Sequence, residues 1–178
     1  METLMSLDFK RILCPADLST FSLEAVKLAV KVAENSGATL YMLHVIDSPF
    51  DDLYMSSSTE ADPALLEMYQ NEPAKRAEVL RRTVARSEIL LKQFCHPWVE
   101  SLPKVRYLVS TGNPFEKILD AAEDQRIDLV VLATHGRTGV KRLLIGNVAE
   151  KVVRHAPCPV LTVRPRAVNR KLKALRAS

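Results

Sequence analysis

The sequence predicts an α/β protein, a mostly parallel five-stranded sheet with helices on both faces. Three observations predict it. Short apolar runs of strand length alternate along the chain with segments whose apolar residues recur every three or four positions. The fourth apolar run, 128–134 (DLVVLAT), is almost continuous, as a strand covered on both faces requires. The chain has 178 residues of even composition, 47% hydrophobic and 26% charged, which fits one domain and excludes a disordered, collagen-like or repeat protein. The domain is expected over 1–165, followed by a basic tail at 166–178.

Strand one is expected at 10–16 (KRILCPA). A helix follows over about 20–35, where Glu24, Lys27, Lys31 and Glu34 mark the wet face and Ala25, Leu28, Ala29 and Val32 the buried one. Gly37 stands where a helix end favours a left-handed residue. Strand two is expected at 39–47 (TLYMLHVID). Residues 48–63 are rich in Ser and Asp and read as a long loop, a candidate lid. A charged helical region spans about 64–94, with Pro73 expected to break or kink it. Its second part sets Leu80, Val84, Leu91 and Phe94 on one face.

Strand three is expected at 104–110. Asn113-Pro114-Phe115-Glu116 then reads as a helix start, with Asn113 as the cap and Pro114 in the first turn. That helix should run to about 124. Strand four precedes a loop at 135–146, a helix at 147–155 and strand five, from Pro159 to Val163. Right-handed crossovers between parallel strands put helices on both sides of the sheet.

Charge and cysteines narrow the function classes. The formal net charge is +4, but Arg164, Arg166, Arg170, Lys171, Lys173 and Arg176 lie together at the end with no acid among them. With those six set aside, acids outnumber bases, so the body carries no basic stripe of the kind that grips nucleic acid. The tail reads as a solvating segment or an amphipathic helix, through Val168, Leu172 and Leu175, in preference to an anchor for lipid or nucleic acid. Cys14, Cys95 and Cys158 form no CxxC, which points to reduced thiols in the cytoplasm and away from zinc or disulfides. No transmembrane segment is expected, because no run approaches the roughly 18 apolar residues a span needs. Residues 1–10 lack the apolar core of a secretion signal.

Chemistry in such a sheet belongs outside the carboxyl ends of the strands. There the sequence supplies Asp17, Asp47, Ser110, Thr111, Thr134 and His135. Three of its five glycines, Gly136, Gly139 and Gly146, fall in THGRTGVKRLLIGNVAE, between strand four and the next helix. Freed amides at a helix N-terminus favour an anion, and Arg137, Lys141 and Arg142 add charge. Phosphate binding and a plain glycine turn are both consistent with this segment alone. Neither a Walker loop nor GxGxxG is present. His135 reads as a loop-orienting residue in preference to a base. His44, inside an apolar strand, reads as a core residue.

The stretches ILCPAD, LHVID and VVLATHGRTGVKRLLIGNVAEKVVRHAPCPVLTV resemble the universal stress proteins over about residues 8–165. The resemblance implies a Rossmann-like, doubly wound fold, pairing of two copies through their last strands, here Pro159 to Val163, and in many members ATP or AMP binding. It implies that Pro15, Ala16, Asp17 and Val45 meet the adenosine part. Leu132, Ala133, His135, Gly136, Arg137, Thr138, Gly146, Asn147 and Val148 would complete the site on the phosphate side. A magnesium ion could accompany the phosphates, although no carboxylate pair marks its place.

The family's nucleotide-binding pattern is Gly-x-x-Gly, nine residues, then Gly-Ser or Gly-Thr. Here Ala133 replaces the first glycine and Asn147 the Ser or Thr, while Gly136 and Gly146 match and Ala16 stands for a frequent threonine. Asn147 is expected to cap its helix, with Glu150 in capping-box spacing. Ala133 matters if its backbone needs positive φ, or if the ribose packs on it. The implied function is a nucleotide-binding regulator or sensor in the stress response, with unknown protein partners. The alternatives are a dimeric interaction protein with a vestigial site, or a weak ATPase whose hydrolysis is slow at most.

Overall fold

In the computed structural model, residues 8–47, 73–134 and 146–164 are described. The expected loop at 48–63, the first part of the second helical region, His135, Gly136, Arg137, Thr138 and the basic tail lie outside the described residues.

The elements are β1 (Arg11–Pro15), α1 (Ser22–Ser36), β2 (Thr39–Ile46), α2 (Pro73–Val99), β3 (Val105–Thr111), α3 (Pro114–Asp124), β4 (Leu129–Ala133), α4 (Asn147–His155) and β5 (Val160–Val163). The five strands form one parallel sheet in the order β3-β2-β1-β4-β5. The chain winds outward from β1 through β2 to β3, then returns to the other side of β1. The switch point therefore lies between β1 and β4.

Two apolar layers follow from strand alternation. One face of the sheet, with Ile12, Cys14, Leu40, Met42, Leu129 and Val131, packs under α1 and α2. The opposite face, with Leu13, Leu43, Val130 and Leu132, packs under α3 and α4. β4 reads buried at four of its five positions, as its continuous apolar run requires.

Local chemistry fixes the helix ends. Gly37 caps α1 at φ 65° and its amide donates to the Ala33 carbonyl; a Cβ there would meet nothing within 4 Å, so the requirement is conformational. The Asn113 side chain accepts from the Phe115 amide at 3.0 Å, with Pro114 behind it, as the sequence implies. Pro73 is the first described residue of α2.

α2 does not stop at Phe94. It continues through Pro97 to Val99, because Leu91, Cys95 and Val99 form one buried stripe at spacing four. That burial outweighs the proline close to the helix end. Beyond it, the Lys27 ammonium sits 4.4 Å from the Trp98 ring centroid, and the Ser101 hydroxyl donates to Glu34 at 2.6 Å.

Candidate functional site

β1 ends in Pro15 and runs into Ala16, Asp17 and Leu18. The Ala16 amide donates to the Leu43 carbonyl at 2.8 Å, extending the β1–β2 pairing past the strand end. Asp17 Oδ1 accepts from the Ser19 amide at 3.0 Å and from the Ser19 hydroxyl at 2.6 Å. The Ser19 hydroxyl oxygen in turn accepts from the Ser22 amide at 3.3 Å, and the Ser22 hydroxyl donates to the Ser19 carbonyl at 2.9 Å. The carboxylate at the mouth of the sheet is thus tied through Ser19 to the first turn of α1. Leu18 completes the turn at φ 61°, a left-handed conformation that disfavours side chains by about 1–2 kcal/mol and is held by these bonds.

Val45, near the end of β2, is half-buried over the α3–α4 face. Leu132 is buried and Ala133 half-buried at the end of β4, beside β1. The Thr134 amide donates to the Val163 carbonyl at 2.9 Å, and its carbonyl accepts the Gly146 amide at 2.6 Å. The two ends of the glycine-bearing segment therefore meet directly. A Cβ at Gly146 would stand 3.0 Å from the Thr134 carbonyl oxygen, so this approach favours glycine.

The structure places Pro15, Ala16, Asp17, Val45, Leu132, Ala133, Gly146, Asn147 and Val148 at the carboxyl end of the sheet or at the N-terminus of α4 beside it. One expectation changes and one open point is answered. Asn147 is not the cap of α4: Gly146 is, with ψ 153°, and its carbonyl accepts the Glu150 amide at 2.9 Å. The Gly146–Thr134 bond holds Gly146 in extended backbone as the cap, and Asn147 is the first helical residue, exposed in the first turn. Ala133 has no positive φ; it is an extended strand residue paired with Val163. Its methyl faces the α1–α2 layer.

Other candidates resolve in place. His44 is a core residue, 6% exposed, with Nδ1 at 2.8 Å from the Ala16 carbonyl. A carbonyl only accepts, so Nδ1 carries the proton. Sequence reasoning put His44 in the core but not against the candidate site; no local pattern signals that contact. Cys14 and Cys95 are fully buried and their thiols are pushed up by desolvation, that of Cys95 to about 12. Cys158 is only half-buried, because it lies in the α4–β5 connection. Among the described residues no cluster of three or more His, Cys, Asp or Glu could hold a metal. No described helix is long and apolar enough to cross a membrane.

Residues 8–164 match the universal stress protein family. The chain belongs to that family. It is 34% identical over 157 residues to a universal stress protein of Methanocaldococcus jannaschii, covering 88% of this chain and 82% of the relative. The universal stress protein UspA from Lactobacillus plantarum has a similar structure, with TM-score 0.60 and 29% identity over 89% of this chain and all of that one. Two more distant structures share the fold: a universal stress protein in complex with cAMP (TM-score 0.57, 19% identity, 89% of this chain and 98% of that one) and an Arabidopsis thaliana member with AMP bound (0.54, 20%, 90% and 94%).

Proposed function

We propose that this universal stress protein binds an adenine nucleotide, ATP or AMP, at the β1–β4 switch point and acts as a regulator or sensor. The observation that carries the reading is that two built features stand at the carboxyl ends of the neighbouring strands β1 and β4. One is the braced Asp17 turn; the other is the N-terminus of α4, brought to the end of β4 by the Gly146–Thr134 bond. The first amides of a helix have no partner within it and favour a phosphate. No side chain fills the cap position of α4, because the cap is glycine.

Adenine would rest near Pro15 and Val45, and Asp17 would accept from ribose or base. Gly146 and Asn147 would face phosphate, with Gly136, Arg137 and Thr138 beside them and magnesium as a companion ion of ATP. The AMP and cAMP complexes of related folds agree with this choice. The protein is read as a binder in place of a turnover enzyme, working in the cytoplasm. It would pair as a homodimer through β5, an edge strand with Leu161 38% exposed.

The test is to identify nucleotide released from the denatured protein, then titrate ATP, ADP and AMP by calorimetry with and without magnesium. Stoichiometric ATP or AMP, or micromolar binding, is expected. An empty protein silent to all three would leave the interaction-protein reading, in which the dimer surface carries the function.

A further inference from the structure

Both backbone polar groups of Ala16 are held by consecutive residues of β2. Its amide donates to the Leu43 carbonyl at 2.8 Å, and its carbonyl accepts from His44 Nδ1 at 2.8 Å. Ala16 is 4% exposed and His44 6% exposed, so this clamp is made away from bulk water. The clamped carbonyl belongs to the peptide that leads into Asp17. Immediately beyond it the chain enters the left-handed conformation of Leu18 and the Ser19 brace.

We propose that His44 is a positioning residue of the crevice. Its Nδ1–H fixes the Ala16–Asp17 peptide and so aims the Asp17 carboxylate outward from the sheet. A carbonyl bonded from one side by an imidazole cannot rotate without stranding a buried acceptor, which is far more unfavourable than losing an exposed bond. The turn beyond it holds a strained residue, and such turns persist only where their surroundings fix them. His44 touches no ligand in this role; it acts through Asp17. The consequence for affinity rests on the nucleotide reading, whereas the consequence for the turn does not.

Two amide side chains separate geometry from polarity. In His44→Asn the side-chain nitrogen falls close to the Nδ1 position and can still donate to Ala16. In His44→Gln the same group lies one methylene further out and overshoots. Amide hydrogen exchange in nucleotide-free protein reads the turn at Ser19, with Val131 in the centre of β4 as the reference. Ser19 exchange should quicken about tenfold or more in His44→Gln and stay within about threefold of wild type in His44→Asn, with Val131 unchanged in both. If the glutamine chain does not fold, His44→Leu, which suits an apolar strand and lacks the donor, carries the comparison. Unchanged Ser19 exchange in His44→Gln, or in His44→Leu where that variant carries the comparison, or equal loosening of Val131, would overturn the proposal.

Calorimetry with ATP gives the second readout, about tenfold weaker binding for glutamine and near wild type for asparagine. Equal ATP affinity in wild type and His44→Gln would also overturn it. A wild type that ignores ATP, while Ser19 loosens selectively in His44→Gln, would sink the nucleotide reading and uphold the role of His44 in the turn.

Discussion

The Gly146 amide donates to the Thr134 carbonyl at 2.6 Å, so the N-terminus of α4 is anchored on the last turn of chain leaving β4. This contact favours glycine for packing before any ligand is considered. Gly146→Ala sets a methyl 3.0 Å from the Thr134 oxygen, and backbone must yield. Overpacking of this kind destabilises by about 1–3 kcal/mol. Urea unfolding of the alanine variant should show that loss with an unchanged m-value. A variant as stable as wild type would mean that the junction relaxes freely. Any loss of nucleotide affinity on bulky substitution here has to be read beside this loss of stability.

Ala133 leads to the opposite expectation. The position is extended strand, paired with Val163 and packed toward the α1–α2 layer, so restoring the family's glycine relieves no backbone strain. Ala133→Gly should destabilise the protein by about 0.5–1 kcal/mol, the entropic penalty of glycine inside a strand. Denaturant titration checks the stability. Parallel ATP titration checks the site, where a change below about threefold is expected. A large gain in affinity would show that the methyl crowds the ribose.

Much of this fold was legible in the sequence because strands and helices are local patterns. The five strands fall within a residue or so of their expected limits, and Asn113 caps α3 because its cap, proline and first turn are contiguous. What was not legible depends on tertiary contact. Asn147 looks like a better cap than Gly146 until the Thr134 carbonyl is brought beside it. α2 looks finished at Phe94 until Cys95 and Val99 are found against the sheet. At the site, the sequence pointed to Asp17, whose Ser19 brace is a local contact two residues on, but the contact of His44 with Ala16, 28 residues away, has no local signature.

Asn113 offers a test of local chemistry remote from the glycine-bearing segment. Its side chain accepts from Phe115, and the Phe115 ring meets His155 edge-on at 5.5 Å between centroids. Asn113→Ala removes one cap bond and should lower stability by about 1 kcal/mol, whereas Asn113→Asp should retain it. Thermal unfolding of the two variants separates the outcomes. Equal loss in both would show that the asparagine amide, and not the accepting oxygen, matters.

The buried thiols predict alkaline sensitivity. Desolvation holds Cys95 at about 12, above its ordinary 9.0, and raises Cys14 further in the same direction. In this window the folded protein keeps protons that the unfolded chain releases. Stability is therefore fully present below about pH 9 and falls as pH rises from there toward 12. Urea midpoints measured between pH 8 and about 10.5 should drop, with a shallower decline in Cys95→Ala, which has one thiol fewer to keep neutral. Thiol reagents should label Cys158 in the native protein while Cys14 and Cys95 react only on unfolding, because a protonated, fully buried sulfur is a poor nucleophile. Rapid native labelling of Cys95 would show that the stripe it shares with Leu91 and Val99 opens without global unfolding.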